Sequence, residues 1–314
     1  INDHLHFGGG GDAVLQLEQK ILLNHGFTVF LIGFGDSKDS KDNTYIIDIP
    51  RNEKLNKFLL HKKIRNKFTE IVDRISPDII HIHLISKFPA SIYNSDSLKR
   101  SKVIQTLHGP NLFCSSSWGG LKNSASCELG ISFKCSARGC VSVSANALYY
   151  QLKNKYWANL KGSVDIFHCP SLNILNSARR LGLNNSKYIP LGIDKIFTEI
   201  PIKKDFTRPT LLYVGAIAKP KGVQFLLPAL EIIKERFPNI LLRIAGTGNF
   251  LEELKEDVLK RKLSDNVEIL GFINHNKIRQ FYLSGDIFVM PSIWHEQFGL
   301  VGPEALACQV PCIA

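Results

Sequence analysis

The sequence lacks a run long enough to span a membrane and a visible export signal. No apolar run reaches the roughly 18 residues that a membrane-spanning helix requires. The first residues contain neither the basic segment nor the apolar segment of a signal peptide. The seven cysteines are an odd number in a chain of 314 residues, which argues against a disulfide framework and for a reducing compartment. We therefore expect a cytoplasmic protein.

Signatures of nucleic-acid binding are also missing, although the formal net charge is +11. The basic residues are dispersed along the chain, and no helix-turn-helix, zinc-finger or RNA-binding motif occurs. An enzyme that acts on anionic substrates, or a protein that contacts an anionic membrane, explains the charge equally well. No nucleic-acid partner is expected.

The sequence does contain a regular alternation of short apolar runs with amphipathic stretches, which is typical of α/β units around parallel sheets. The predicted strands are Val29–Gly33, Tyr45–Ile49, Ile79–His83, Val103–Leu107, Val164–Cys169, Lys187–Pro190, Thr210–Val214, Leu241–Ala245, Val267–Leu270 and Ile287–Met290. The predicted helices are Asp12–His25, Leu55–Ile75, Ala145–Leu160, Ile174–Leu181, Phe225–Arg236, Leu251–Lys262 and Lys277–Ser284. A last helix should start near Pro303, because proline favours the first helical position.

Two domains are expected, because the chain is about twice the usual size of one domain. The charged, proline-containing segment 195–207 shows no clear periodicity and is interpreted as a linker. It separates an N-terminal domain, 1–194, from a C-terminal domain, 208–314. The predicted architecture is α/β, with two Rossmann-like lobes that face each other across a cleft. Ligands of such sheets bind beyond the carboxyl ends of the strands, so the loops there are the candidate sites.

Three glycine-containing turns follow predicted strands. Gly10 and Gly11 precede the first helix, where the backbone can approach a phosphate or carboxylate; a flexible loop capped by Asp12 explains them as well. This turn is not a GxGxxG motif, so a nicotinamide cofactor is not favoured. Lys221 can bring a cation to a diphosphate, or can be an ordinary solvated lysine. Gly246 and Gly248 form a turn of a kind that is also common in packing.

The most specific segment contains two carboxylates, Glu296 and Glu304, separated by a glycine-containing loop that opens a helix. A loop carboxylate can accept hydrogen bonds from sugar hydroxyls, and a carboxylate in the first helical turn can bind a ribose diol. The N–H groups between them lie near the positive end of the helix dipole and can hold phosphate oxygens. The alternative is that Glu304 only stabilises the helix dipole.

This segment resembles the retaining glycosyltransferases of family 4, which have the GT-B fold. The signature of that family is a glutamate, then Phe-Gly-Leu, then Glu-Ala at the start of a helix, and all of these are present here. The matching residues are Glu296, Phe298, Gly299, Leu300, Glu304 and Ala305. The resemblance extends, in order, to Gly9–Asp12, Ile80–His83, Thr106–Gly109 and Ile189–Asp194, and so covers nearly the whole chain.

The resemblance implies a role for each matching residue. Glu296 would face the donor sugar or position the reacting centre, and His108 would lie near the sugar. Glu304 would hold the ribose hydroxyls, and Lys221 would neutralise the departing diphosphate. The remaining donor-binding candidates are Gly10, Gly11, Gly246, Gly248, Phe298, Gly299 and Leu300. The implied reaction is hexosyl transfer from a UDP-, GDP- or ADP-sugar to a glycan or lipid-linked acceptor, with retention and with no cofactor required for catalysis.

The sequence departs from the family pattern at several positions. Ala216 occupies the place of an arginine in the phosphate-binding turn, unless Lys219 or Arg243 supplies that charge. Thr247 replaces a frequent acidic residue, and Gln309 replaces the glycine that ends the last helix. The chain also stops where further α/β units should follow, and its first strand is nearly missing. We therefore expect a fragment of a longer enzyme, with an incomplete C-terminal lobe, whose missing ends are needed for activity.

Two other classes of function stay open at this point. One is a different GT-B enzyme, such as a phosphorylase or a nucleotide-sugar epimerase. The other is a non-catalytic protein that binds a nucleotide or a glycan, an interpretation that Ala216 and the missing ends favour. Donor turnover separates such a binding protein from a transferase.

Two secondary features are a cysteine cluster and a basic helix. Cys114, Cys127, Cys135 and Cys140 lie in a glycine- and serine-rich stretch, where they could hold a structural zinc, remain free thiols or form a redox disulfide. The helix Leu55–Ile75 carries lysines beside an apolar stripe. Such a stripe either packs into the core or lets the protein contact the inner face of a membrane.

Overall fold

The fold was obtained as a computed structural model. It describes residues 1–3, 5, 10–35, 43–48, 61–85, 89–109, 132, 134–198, 208–293 and 296–314. The contacts divide these residues into one unit that ends at Leu191 and a second that begins at Gly192, three residues before the start of the predicted linker. No helix in the described ranges combines the length and the apolar character needed to cross a bilayer.

The first unit contains six helices and six strands within its described part. The helices are α1 (Gly10–Asn24), α2 (Lys62–Ile75), α3 (Pro89–Tyr93), α4 (Lys134–Ala137), α5 (Val143–Ser163) and α6 (Leu172–Arg180). The strands are β1 (Leu31–Gly35), β2 (Thr44–Asp48), β3 (Ile79–Ile82), β4 (Lys102–Thr106), β5 (Ile166–Cys169) and β6 (Ser186–Tyr188). All pairings are parallel, in the orders β1-β2 and β3-β4-β5-β6.

Residues 1–3 connect these two sheets. The Asn2 amide donates to the Ile32 carbonyl oxygen of β1 at 3.0 Å, and the Asp3 amide donates to the Leu84 carbonyl oxygen after β3 at 2.6 Å. These few residues therefore occupy the position of the first strand that the sequence predicts before the glycine turn.

The second unit has one five-stranded parallel sheet in the order β11-β10-β7-β8-β9. Its strands are β7 (Thr210–Val214), β8 (Leu241–Ala245), β9 (Val267–Gly271), β10 (Ile287–Val289) and β11 (Cys312–Ile313). Its helices are α7 (Leu226–Arg236), α8 (Leu251–Lys260), α9 (His275–Tyr282) and α10 (Val301–Ala307). Because the strands are parallel, their carboxyl ends lie at one edge, and the loops that follow them share that edge. The α/β prediction with two Rossmann-like lobes is confirmed.

Two sequence expectations about helices need correction or completion. The last helix starts at Val301, so Pro303 is its third residue rather than its first. Proline is tolerated there because the first four N–H groups of a helix have no partner within the helix. Gln309 nevertheless ends this helix in a left-handed conformation with φ 59°, which is the conformation that glycine usually supplies.

The amphipathic helix α2 packs its apolar face into the core of the first unit. Ile64, Phe68, Ile71 and Val72 are all buried there. The apolar stripe of the described part of this helix is therefore a core-facing stripe, and its lysines lie on the opposite, solvated face. Residues 55–60 of the predicted helix lie outside the described residues.

Candidate active site

Two loops of the second unit meet closely at the carboxyl edge of its sheet. The turn after β7 contains Gly222 at φ +72°, and a Cβ atom on this residue would lie 1.7 Å from the carbonyl oxygen of Pro291. The Ile293 amide, in the loop after β10, donates to the Pro220 carbonyl oxygen at 3.2 Å. Only glycine allows this approach, which holds Lys221 next to the loop that carries Glu296.

Glu296 lies between a cation and a hydroxyl group. The Lys221 ammonium donates to Glu296 Oε1 at 2.6 Å, and the Ser292 hydroxyl donates to the same oxygen at 2.5 Å. The side chains of Lys221 and Glu296 are 32% and 22% exposed, so the ion pair is partly shielded from water yet reachable by a ligand. The other carboxylate oxygen has no hydrogen-bond partner among the described residues and is available to a hydroxyl of a bound molecule.

Glu304 is a buried carboxylate in the first turn of α10. The Tyr282 hydroxyl, at the end of α9, donates to Glu304 Oε2 at 2.9 Å. Burial raises the pKa of Glu304, and the hydrogen bond from Tyr282 opposes that shift. A buried carboxylate with a single partner costs stability and retains acceptor capacity for a hydroxyl-bearing ligand.

The turn after β8 packs against the turn after β7 through its two glycines. A Cβ atom on Gly246 would lie 1.8 Å from the Gly215 carbonyl oxygen, and one on Gly248 would lie 2.2 Å from the Ile217 carbonyl oxygen. The Ile217 amide also donates to the Thr247 carbonyl oxygen at 2.9 Å. These two predicted donor-binding glycines therefore have a definite packing function in the fold.

Phe298, Gly299 and Leu300 lie just before α10, and all three are partly exposed. Gly299 has φ +69° and lies beside Glu296, since a Cβ atom on it would be 3.6 Å from the Glu296 Cβ atom. The Leu300 carbonyl oxygen accepts from the Glu304 amide at 3.0 Å, the first hydrogen bond of the helix. The backbone between the two glutamates is thus continuous with the start of α10.

Neither candidate replacement for the arginine expected at Ala216 is directed toward Glu296. Arg243 donates to Glu268 Oε2 at 2.6 Å and to the Ser284 hydroxyl at 2.6 Å. Lys219 lies 3.3 Å from Glu253 and is 61% exposed. Lys221 is consequently the cation that the turn after β7 holds against Glu296.

In the first unit, His108 follows β4 and lies beside the start of α1. A Cβ atom on Gly11 would be 3.9 Å from His108 Nδ1, so the absence of a side chain at Gly11 leaves room next to the imidazole. Gly10 is the first residue of the same helix. His108 Nε2 lies 3.0 Å from His83 Nδ1, and burial lowers the pKa of His108 to about 3. His108 is therefore a neutral imidazole at pH 7.

Sequence reasoning did not identify Glu18, or its contacts with His81 and His83, as part of the surroundings of His108. Glu18 of α1 lies 2.7 Å from His81 Nδ1 and 3.1 Å from His83 Nε2. Burial alone would raise the pKa of Glu18, but the hydrogen bonds from both histidines hold that pKa below its usual range. The alternation His81-x-His83 at a strand end was the available signal, whereas Glu18 carries no local pattern of its own.

Half of the predicted cysteine cluster lies in the described part of the chain. Cys135 is buried in α4 and Cys140 is partly exposed just after it, and the Cys140 amide donates to the Cys135 carbonyl oxygen at 2.9 Å. Cys114 and Cys127 lie outside the described residues. The structural zinc therefore stays a prediction.

Sequence models of two glycosyltransferase groups match the chain in succession. The model of Glycosyltransferase Family 4 matches residues 7–195, and that of glycosyl transferases group 1 matches residues 194–314. The chain belongs to Glycosyltransferase Family 4.

Curated relatives and solved structures agree with this assignment. The chain is 35% identical over 107 residues to the alpha-D-kanosaminyltransferase of Streptomyces kanamyceticus, a match covering 34% of this chain and 28% of that protein. The matched segment thus spans only about a quarter to a third of the curated relatives. A Rickettsia africae glycosyltransferase aligns with a TM-score of 0.67 and 19% identity, over 100% of this chain and 77% of that one. Anabaena HepE in complex with UDP-glucose aligns with a TM-score of 0.64 and 16% identity, over 98% of this chain and 78% of that one. These likenesses establish the GT-B fold.

Proposed function

We propose that the second unit binds a nucleotide-sugar donor and that the protein transfers the sugar, with retention of configuration, to a glycan or lipid-linked acceptor. The observation that carries this proposal is the Lys221–Glu296–Ser292 cluster beside the loop that leads to the buried Glu304. One cation and two carboxylates at the carboxyl edge of a parallel sheet match the three parts of such a donor: a diphosphate, a sugar and a ribose.

Each side chain has a separate task in this mechanism. Lys221 leaves Glu296 to contact the diphosphate and stabilises the charge that develops there as the sugar departs. Glu296 then accepts hydrogen bonds from the sugar hydroxyls, and its loop orients the anomeric carbon. Glu304 accepts a hydrogen bond from the ribose diol, an interaction with a charged acceptor that contributes about 1.5–3 kcal/mol. Phe298, Gly299 and Leu300 offer backbone N–H groups near the start of α10.

His108, in the first unit, is the residue that the family resemblance assigns to a sugar hydroxyl. Its neutral ring, held by His83 and bordered by Gly11, can accept or donate one hydrogen bond to a sugar hydroxyl.

The test is a thermal-shift panel of UDP-, GDP- and ADP-sugars with the full 314-residue chain. At least one donor should raise Tm, and UDP-sugars come first because HepE was solved with UDP-glucose. Glu304→Ala should abolish that shift. The matched control is Glu252→Ala, because Glu252 is also acidic and in a first helical turn, but is 78% exposed. If no nucleotide sugar shifts Tm, the proposal fails.

Donor consumption then separates transfer from binding alone. If the protein only binds nucleotides, an interpretation that the exposed Ala216 favours, a nucleotide sugar raises Tm but no free nucleotide is released. A transferase releases the nucleotide slowly to water and faster when a suitable acceptor is added.

A further inference from the structure

A compact group of three ligand-type side chains lies within the first unit: Glu18 of α1, His81 of β3 and His83 just after β3. One ligand atom from each of the three side chains lies within 4.8 Å of the other two. We propose that this Glu18 cluster binds a divalent transition-metal ion of the zinc class through the Glu18 carboxylate, His81 Nδ1 and His83 Nε2. None of these three residues belongs to the proposed donor site of the second unit.

The side chains have the right chemistry, and both imidazole rings are held in place from behind. Imidazole nitrogens and a carboxylate are the set that zinc and similar ions accept. Histidines that ligate metals use their second nitrogen to contact an outer group that fixes the ring. His81 Nε2 lies 2.7 Å from the Thr106 hydroxyl, and His83 Nδ1 lies 3.0 Å from His108 Nε2. Both candidate ligands therefore have an outer partner.

One chain of hydrogen-bonded contacts that begins at Glu18 has fewer protons than it needs. The chain runs from Glu18 through His81, Thr106 and His168 to the Ile189 carbonyl oxygen, with separations of 2.7, 2.7, 2.9 and 2.7 Å. Both of its ends are acceptors, so four hydrogen bonds require four protons. Two neutral imidazoles and one hydroxyl supply only three. One further cation is needed between Glu18 and Ile189.

A metal ion bound to Glu18 and His81 Nδ1 removes this deficit with every imidazole neutral. His81 Nε2–H then donates to Thr106, the Thr106 hydroxyl donates to His168 Nδ1, and His168 Nε2–H donates to the Ile189 carbonyl oxygen. On the other branch, His83 bound through Nε2 donates its Nδ1–H to His108 Nε2. The alternative to a bound metal ion is an extra proton on His81 or His168, and the experiment below distinguishes these two possibilities.

Small side-chain shifts are needed to admit the ion. Ligand atoms in a tetrahedral zinc site, each about 2.0–2.2 Å from the metal, lie about 3.3–3.6 Å apart. The 3.1 Å between His83 Nε2 and Glu18 Oε2 must therefore widen by a few tenths of an ångström, and the 2.7 Å between His81 Nδ1 and Glu18 Oε1 by about 0.6–0.9 Å. The side chains of Glu18 and His81 are 33% and 22% exposed, which leaves an open side for entry and for a water ligand.

The experiment is a titration of the full reduced chain with Zn²⁺ by calorimetry, and with Co²⁺ by visible absorption, in chelator-free buffer. Glu18→Gln and His81→Gln should each weaken one site at least tenfold. His25→Gln, at the exposed end of α1, should bind as the wild type does. Cys135→Ser identifies any separate thiolate site and should leave this one intact.

Two results would overturn the proposal. One is equal ion affinity in wild type, Glu18→Gln and His81→Gln. The other is no binding at ion concentrations up to the millimolar range, together with a nitrogen NMR spectrum that shows an imidazolium in the wild type. Circular dichroism checks that each variant is folded; if His81→Gln is not, Glu18→Gln, which keeps the side-chain shape, decides alone.

Discussion

The Lys221–Glu296 ion pair yields the most informative prediction, since the same lysine must leave Glu296 to contact a diphosphate. A hydrogen bond to a charged group contributes about 1.5–3 kcal/mol. Opening a partly exposed ion pair costs up to about 1 kcal/mol. With the full cost of opening subtracted, the net loss in Lys221→Met is about 0.5–2 kcal/mol, or about a 2- to 30-fold weaker nucleotide affinity. The uncompensated charge of Glu296 acts in the same direction by repelling the phosphates.

Isothermal titration with UDP, GDP and ADP measures this effect directly. Lys219→Met is the matched control, because it removes the same charge from the same turn, but from an exposed side chain paired with Glu253. We expect Lys219→Met to change the affinity less than threefold, and Lys221→Arg to retain most of it. Equal weakening by Lys219→Met and Lys221→Met would show a general charge effect and refute the assigned contact.

Three further predictions concern stability and are measured by urea unfolding. Gly222→Ala should cost at least about 2 kcal/mol, because its Cβ meets the Pro291 carbonyl oxygen and its φ is positive, whereas Gly192→Ala, in open space, should be nearly neutral. Gln309→Gly should stabilise by about 0.5–1 kcal/mol, since φ 59° is strained for glutamine; a stabilising Gln309→Ala would contradict this. Glu304→Gln should stabilise the protein at pH 7 but not at pH 4. The pKa of Glu304 is higher in the folded protein than its value of 4.5 in the unfolded chain. The folded protein therefore binds a proton at Glu304 more tightly than the unfolded chain does, and it loses stability as the pH rises above 4.5. A pH-independent difference would refute that cause.

Sequence periodicity predicted the strands of the second unit most accurately. Thr210–Val214 and Leu241–Ala245 were predicted with the bounds that the structure gives them. These runs are apolar and end in glycine turns, so hydrophobic pattern and turn chemistry agree there. Helix ends were less accurate, because α1 begins at Gly10 rather than Asp12 and α10 begins at Val301 rather than at Pro303. Local propensity does not determine which residue makes the first backbone hydrogen bond.

The partners within the site could not be predicted, since each contact joins residues far apart in the chain. Lys221 and Glu296 are 75 residues apart, and Glu18 and His81 are 63 apart. The first pair depends on parallel strands that bring two loops to one sheet edge, and the second joins helix α1 to strand β3. Resemblance to the family identified Glu296 and Glu304, but not the ion pair or the hydroxyl group of Tyr282 that contacts Glu304.

In the proposed function Glu296 acts on the donor sugar, while other groups hold the nucleotide. The most direct test compares wild type and Glu296→Gln for UDP release from a UDP-sugar, alongside the affinity of each for UDP alone. We predict that Glu296→Gln binds UDP as tightly as wild type or up to about fivefold more tightly, because no ion pair with Lys221 has to open. We predict that it releases UDP at least about 100-fold more slowly, the loss typical when one group that stabilises a transition state is removed. Equal release rates in the two proteins, or a loss explained entirely by weaker UDP binding, would contradict this role of Glu296.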